Sequence, residues 1–253
     1  MPLKISLVTA TFNSAATVQD TLRSVNTQTH PDVEHIVVDG GSTDSTMAIV
    51  RAEGLRVTTA LSEPDRGIYD AMNKGIALAG GEVIGFLNAD DEYAHAGVLS
   101  RVAAQFADPA VEACYADLVY VDPRDLRRVV RYWRSRPYEA GLFERGWMPA
   151  HPTFYVRRRV YERYGGFDLA YRLQADFELT LRFLAAHRVR SVYVPEIWVR
   201  MRTGGATNRS VGNVLRGNAE AWRAARRHGL RVGPLFVVRK VLSRLPQFFS
   251  RPR

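Results

Sequence analysis

The chain has little of what marks a secreted or membrane-spanning protein. It holds one cysteine, Cys114, so no intrachain disulfide can form, and a lone thiol suits a reducing cytosol. No apolar run approaches the roughly 20 residues that cross a bilayer, and the stretch from Met1 to Thr9 turns polar too soon for a signal peptide. The six histidines and the cysteine show no zinc-ligand spacing, which leaves the histidines as surface or structural residues. Gly40-Gly41-Ser42 lacks the Gly-Lys-Ser/Thr ending of a P-loop, and no three-glycine dinucleotide fingerprint occurs. Kinase and dehydrogenase readings lose their support. Internal repeats and low-complexity tracts are missing as well.

Acidic residues are absent from one further region. From Ala221 to Arg253 there are nine Lys or Arg and no Asp or Glu, so this tail alone equals the formal net charge of +9. The remainder is near neutral. Such a distribution predicts an anionic contact at the C-terminus rather than a basic face over the whole molecule. As a helix, 235–245 would gather Leu235, Val237, Val238, Val241, Leu242 and Leu245 on one arc, with Arg239, Lys240 and Arg244 on the other and Phe236 as the exception. With Pro246-Gln-Phe-Phe behind it, this reads as an amphipathic segment for an anionic membrane surface. The competing reading is a terminal helix packed on the body. A nucleic-acid-binding protein is the rival from another class, but no recognition motif accompanies the arginines.

What is present is the composition of one elaborated α/β domain, 253 residues long and 46% hydrophobic. Short β-rich runs alternate with helical patterns in the first third, as in a sheet buried on both faces. The pattern predicts strands at 5–11, 35–38, 56–61 and 82–87, with Asn13 and Ser14 capping a helix that carries Val18, Leu22 and Val25. A helix at 68–79 would turn Ile68, Met72, Ile76 and Ala79 inward. Further on, 114–121 and 127–133 read as paired strands, 153–156 and 191–199 as strands, 177–186 as a helix, and Gly204-Gly205 as a mobile loop.

Carboxylates fall where such a sheet collects its ligands, at strand carboxyl ends. Asp39 follows Ile36-Val-Val, Asp65 sits in Glu63-Pro-Asp-Arg-Gly-Ile-Tyr, and Asp90 closes Phe86-Leu-Asn-Ala-Asp. Singly, each reads as a turn or cap residue. Jointly, they read as a site.

Five ordered segments carry a resemblance: Ser6-Leu-Val-Thr-Ala-Thr-Phe-Asn, Val37-Val-Asp-Gly-Gly-Ser-Thr-Asp-Ser-Thr, Asp65-Arg-Gly-Ile-Tyr-Asp-Ala-Met-Asn-Lys-Gly, Gly85-Phe-Leu-Asn-Ala-Asp-Asp and Ala175-Asp-Phe-Glu-Leu. Over residues 3–205 the chain resembles the inverting family-two glycosyltransferases of the GT-A fold, notably those assembling bacterial surface polysaccharides such as colanic acid. The resemblance implies a Rossmann-like half with a central mixed sheet flanked by helices. It places the catalytic domain at 1–232, divided into a nucleotide-sugar half at 1–110 and an acceptor half at 111–232, with the basic amphipathic segment at 233–253.

By that resemblance Thr9, Ala10, Thr11, Phe12 and Asp39 hold the nucleotide base, Asp65 lies beside base or ribose, and Arg66, Asn73, Asn88 and Ala89 join the nucleotide-sugar site. Asp90 binds Mg2+ or Mn2+ on the diphosphate. Elementary chemistry agrees: a base offers donors to a carboxylate, and a hard cation on oxygen ligands stabilises the leaving diphosphate. Asn88 stands where the family's commonest Asp-x-Asp pattern has its first acid. Asp176 matches the catalytic base, and its other reading is a helix N-cap. Glu178, two residues on, would point elsewhere. His151 lines the acceptor side or is structural, while Arg200 and Arg202 close over the diphosphate or belong to a solvated loop. The function implied is sugar transfer, with inversion, from a nucleotide-diphosphate sugar to a glycan or lipid-linked acceptor hydroxyl, by a cytoplasmic protein peripheral to the inner membrane face and not binding nucleic acid. The nearest alternative enzyme, a sugar nucleotidyltransferase, calls for a glycine-rich basic loop where this chain has Thr9-Ala-Thr-Phe-Asn.

Overall fold

A computed structural model describes residues 2–204, 211–233, 235–243 and 247. Gly205, Arg244, Leu245, Pro246 and the Phe248-Phe249 pair of the readings above lie outside the described residues. The first half runs β1 (Ile5–Thr11), α1 (Val18–Asn26), β2 (Val33–Asp39), α2 (Thr46–Glu53), β3 (Val57–Ser62), α3 (Ile68–Leu78) and β4 (Val83–Phe86). Every residue of β1 and β4 is buried, which is why these strands read as continuous apolar runs rather than alternating ones. They form a parallel sheet in the order β3-β2-β1-β4.

The chain continues through β5 (Asp91–Tyr93), α4 (Val98–Gln105), β6 (Ala113–Asp122), β7 (Asp125–Trp133), β8 (Tyr155–Arg157), α5 (Arg158–Tyr164), α6 (Ala175–Leu181), β9 (Ser191–Arg202), α7 (Val211–Arg227) and α8 (Phe236–Leu242). One nine-stranded mixed sheet results, β3-β2-β1-β4-β8-β6-β9-β5, with β7 hydrogen-bonded to β6 alone. β8 is antiparallel to both β4 and β6, and β5 is antiparallel to β9.

Several local expectations need correction. Asn13 and Ser14 do not cap α1, which starts at Val18. Asn13 is left-handed, at φ 47°, and its Oδ1 accepts from Thr43 N at 3.0 Å, bracing the loop after β1 against the loop after β2. Ile68 is exposed, because Ala71, Met72 and Gly75 form the inner face of α3. The helix expected at 177–186 is α6 followed by a wider π turn at Arg182–Ala186. The strand expected to end at Val199 runs to Arg202.

The C-terminal segment is helical as expected, and what changes is the partition into two arcs. α8 is packed on the body, and its buried edge is the pair Phe236 and Lys240, one turn apart. Phe236, the residue that fitted neither arc, is the anchor. Leu235, Val238, Val241 and Leu242 face outward, about half exposed each.

A buried histidine supplies a pH prediction. His35 on β2 is fully buried, its Nε2 sits 2.9 Å from Thr9 Oγ1, and burial lowers its pKa to about 4. An unfolded chain protonates this ring near pH 6.5, so the native state resists a proton that the unfolded state accepts. The stability is therefore whole above pH 6.5 and is lost as pH falls toward 4. Between pH 7 and 4.5 the cost is about 2 kcal/mol. Urea unfolding at the two pH values should show a shallower loss for His35→Gln; equal slopes refute the assignment.

Candidate active site

Connections leave β1 toward β2 on one side, while β4 lies on the other, and this reversal opens a crevice at the carboxyl ends. β1 and β2 end level, with Gly40 N donating to Thr11 O at 2.9 Å, whereas β4 ends opposite Val8, three residues earlier, with Leu87 N donating to Val8 O at 3.0 Å. Of the Thr9 to Phe12 run, Thr9 is engaged with His35 and Ala10 is buried in the core. Thr11 Oγ1 is buried with no partner among the described residues, and the Phe12 ring is 61% exposed. Phe12 is thus the one of the four with an open side chain, and Thr11 just before it leaves a hydroxyl unpartnered among the described residues.

Asp39 is buried, and its carboxylate is used by its own chain. Oδ2 accepts from Gly41 N at 3.2 Å, Ser42 N at 2.9 Å and Ser62 Oγ at 2.6 Å, while Oδ1 accepts from Ser42 Oγ at 2.5 Å. These bonds shape the loop that follows β2. Asp65 is the half-buried carboxylate above it. Its Oδ1 accepts from Gly67 N at 2.7 Å, where Gly67 holds φ 115°, a backbone that side chains rarely adopt. A Cβ at Gly40 would come 2.5 Å from Asp65 Oδ2, so any side chain there would displace the Asp65 carboxylate.

Two expected site residues are committed elsewhere. The exposed Arg66 is held by Asp70, with Nη2 to Oδ1 at 2.9 Å and Nε to Oδ2 at 3.2 Å. The Arg66 hydrogen bonds keep Asp70 below the usual carboxylate range. Asn73 is a staple: Nδ2 donates to Phe167 O at 2.9 Å, and Oδ1 accepts from Phe167 N at 2.8 Å. Its amide is thereby engaged with backbone on both of its polar atoms.

Asn88, Ala89, Asp90 and Asp91 turn the chain from β4 into β5. Ala89 is buried and contributes backbone only. Asn88 Nδ2 donates to Asp91 Oδ2 at 3.1 Å, and both Asn88 Oδ1 and Asp91 Oδ1 are buried with no partner among the described residues. Burial, with the charge of Asp90 second, raises Asp91 well above the ordinary carboxylate range. Arg202 locks the turn, donating from Nη1 to Asp90 O at 2.7 Å and from Nη2 to Asp20 Oδ2 at 2.5 Å. Arg200 lies near Glu92, 3.5 Å away across β5 and β9. Both arginines stand on a strand, not on a loop. No group of three His, Cys, Asp or Glu among the described residues is arranged to hold a metal. The two orphaned oxygens beside Asp90 nevertheless fit a hard, oxygen-seeking cation that draws its other ligands from phosphate and water.

Asp176 opens α6 and is half-buried. Its Oδ1 accepts from Tyr69 Oη at 3.2 Å and from Phe177 N at 2.8 Å, and Oδ2 has no hydrogen-bond partner among the described residues. Tyr69 stays a donor, because burial and then the Asp176 charge raise its pKa well above normal. His151 is buried, stacked on Phe86 at 5.5 Å, with Nε2 unpartnered among the described residues. Burial lowers its pKa against the opposing pull of Asp176. Phe86 is the last residue of β4, so this ring links the Asn88–Asp91 turn to the Asp176 region. Glu178 points away, to Arg182 and His228. Sequence reading missed Tyr69 and Asp91. Tyr69 stands inside the Asp65-Arg-Gly-Ile-Tyr segment and Asp91 beside Asp90, so position alone could have raised both.

A mixed sheet flanked by helices, with carboxylates at the β1/β4 crevice and an acid across from it, defines a GT-A glycosyltransferase. Residues 6–165 match the family described as Glycosyl transferase family 2, and the chain belongs to that family. It is 34% identical over 180 residues to a PGL/p-HBAD biosynthesis glycosyltransferase of Mycobacterium tuberculosis, covering 70% of this chain and 68% of that protein. In fold it is similar to mannosyltransferase PcManGT from Pyrobaculum calidifontis, solved with GDP-Man and Mn2+, at TM-score 0.67 and 21% identity over 96% of this chain and 69% of that one. It is also similar to S. aureus TarS, at TM-score 0.65 and 16% identity, covering 99% of this chain but 44% of that one.

Proposed function

We propose that this family-two glycosyltransferase transfers a sugar, with inversion, from a nucleoside-diphosphate donor to a hydroxyl of a lipid-linked glycan in surface-polysaccharide assembly. The observation that carries the reading is Asp176: one oxygen is held by Tyr69 and backbone, the other has no hydrogen-bond partner among the described residues, and its charge acts on His151, which stacks on Phe86 at the end of β4. In the transfer step the acceptor oxygen bonds to the anomeric carbon while the bond to the diphosphate oxygen breaks. The electron pair leaves with the diphosphate, and Asp176 Oδ2 takes the acceptor proton from the opposite face.

Phe12 offers its exposed ring to the base, Asp65 accepts from the base or ribose, and Thr11 Oγ1 supplies a further polar contact. Asp90, with Asn88 Oδ1 and Asp91 Oδ1 beside it, would hold Mg2+ or Mn2+. When bound, the cation supplies Lewis-acid stabilisation of the departing diphosphate. Arg202 keeps this turn in place from below. A groove of about 530 Å³ lined by Arg172, Arg216, Glu220, Trp222 and Arg223 opens beside the segment leading to Asp176, and its three arginines against one carboxylate, itself bonded to backbone N–H groups, support an acceptor with an anionic group. Incubation with a panel of nucleotide sugars plus Mg2+ or Mn2+ should give thermal stabilisation by one donor and slow release of nucleoside diphosphate. Pyrophosphate release from a nucleoside triphosphate would instead make it a nucleotidyltransferase.

The membrane face is read from α8. No helix among the described residues is long and apolar enough to cross a membrane. The outward arc of Leu235, Val238, Val241 and Leu242, with Arg239 at its edge, suits the boundary of an anionic bilayer at the cytoplasmic face. Replacing Val238 and Leu242 with Ser should abolish flotation with anionic liposomes at unchanged melting temperature. Flotation that survives the change places the contact elsewhere.

A further inference from the structure

Lys240 is 1% exposed, the one lysine among the largest fully buried side chains, in a helix beyond the stretch matched by the family. Burying an ammonium carries a desolvation penalty, so what it touches is informative. Its Nζ donates to Gln174 Oε1 at 2.7 Å and lies 5.0 Å from the centre of the Phe177 ring. Gln174 and Phe177 bracket Asp176 on its two sides. From α7, the buried Glu220 reaches the same place: its Oε2 accepts from Leu173 N at 2.8 Å and Gln174 N at 3.1 Å. These N–H groups precede the first turn of α6, which has no side-chain cap bond of its own. Phe236, one turn before Lys240, packs edge-on against Phe177 at 6.3 Å.

We propose that Lys240 and Glu220 are positioning residues for sugar transfer, clamping the chain on either side of Asp176 so that its unengaged oxygen meets the acceptor hydroxyl. This rests on Asp176 being the base. The physical need is plain, because among the described residues Asp176 is fixed through Oδ1 alone, and Oδ2 is aimed by the orientation of the first turn of α6. A displacement near 1 Å of a reacting group costs on the order of 100-fold in rate. The C-terminal helices are on this account part of the acceptor-side machinery, whatever else α8 touches.

The test compares full-length Lys240→Met, Gln174→Leu, the double variant and Gln174→Glu, with Asp176→Asn in parallel. Readouts are transfer to acceptor, donor hydrolysis, donor affinity and melting temperature. Lys240→Met and Gln174→Leu should each lower kcat for transfer by about 10- to 100-fold at unchanged donor KM. The double variant should lose no more than either single one, and Gln174→Glu, which keeps an acceptor for Nζ, should retain transfer. Should Lys240→Met fail to fold, Gln174→Leu decides, since it leaves the lysine in place. Full transfer by Gln174→Leu, or losses that multiply in the double variant, overturn the clamp. Full transfer by Asp176→Asn overturns the assignment of the base instead, so the two failures are distinguishable.

Discussion

Asp176→Asn is expected to lose acceptor transfer by on the order of 100-fold or more, with donor affinity nearly unchanged. The substitution is close to isosteric. The Asn oxygen can still accept from Tyr69 Oη and Phe177 N, so the start of α6 keeps its bonds. What is lost is an atom able to take a proton where Oδ2 stands. Single-turnover transfer measured beside calorimetric donor binding separates the two effects, and transfer at the original rate would mean that the base lies elsewhere. His151 is a poor substitute, because burial disfavours its protonated form.

The second large effect is at Asp90. Asp90→Ala should weaken metal-dependent nucleoside-diphosphate binding by on the order of 100-fold, through loss of an anionic ligand at the cation and diphosphate. Binding measured across Mg2+ and Mn2+ concentrations checks this, and unchanged affinity removes Asp90 from the ligand set. The fold should tolerate the change. Arg202 bonds the backbone oxygen of residue 90, which alanine retains, and its second bond is to Asp20.

The parallel strands and the carboxylates at their ends were legible because a strand buried on both faces leaves an apolar run, and the loop after it must hold the polar chemistry. β1 was read with its observed bounds for that reason. Reading failed where a side chain has two uses that sequence cannot tell apart. Asn73 lies in a motif segment yet its amide staples α3 to Phe167, a residue 94 positions away. Asp39 also builds its own loop, accepting from the nearby Ser42 hydroxyl and from the Ser62 hydroxyl that folding brings to it, a second use that the sequence did not display. In α8 the helical periodicity was legible, but which edge faces the body was not, since hydropathy alone would never turn Lys240 inward while leaving Val238 outside.

The strand order has a consequence for how the molecule comes apart. β4 is flanked on one side by β1 and on the other by β8, which arrives some seventy residues later, and β5 pairs with β9 at the opposite end of the sheet. The main apolar cluster likewise joins Val8 and Ile84 to Phe177 and Phe236. A cut near residue 110 would therefore not release two independent lobes. It would strip β4 of one neighbour, leave β5 unpaired and bare a sheet edge apt to aggregate. The segments before and after residue 110 are interwoven rather than hinged, so a single cooperative unfolding transition is expected, and amide protons in β4 and β8 should exchange by the same global opening.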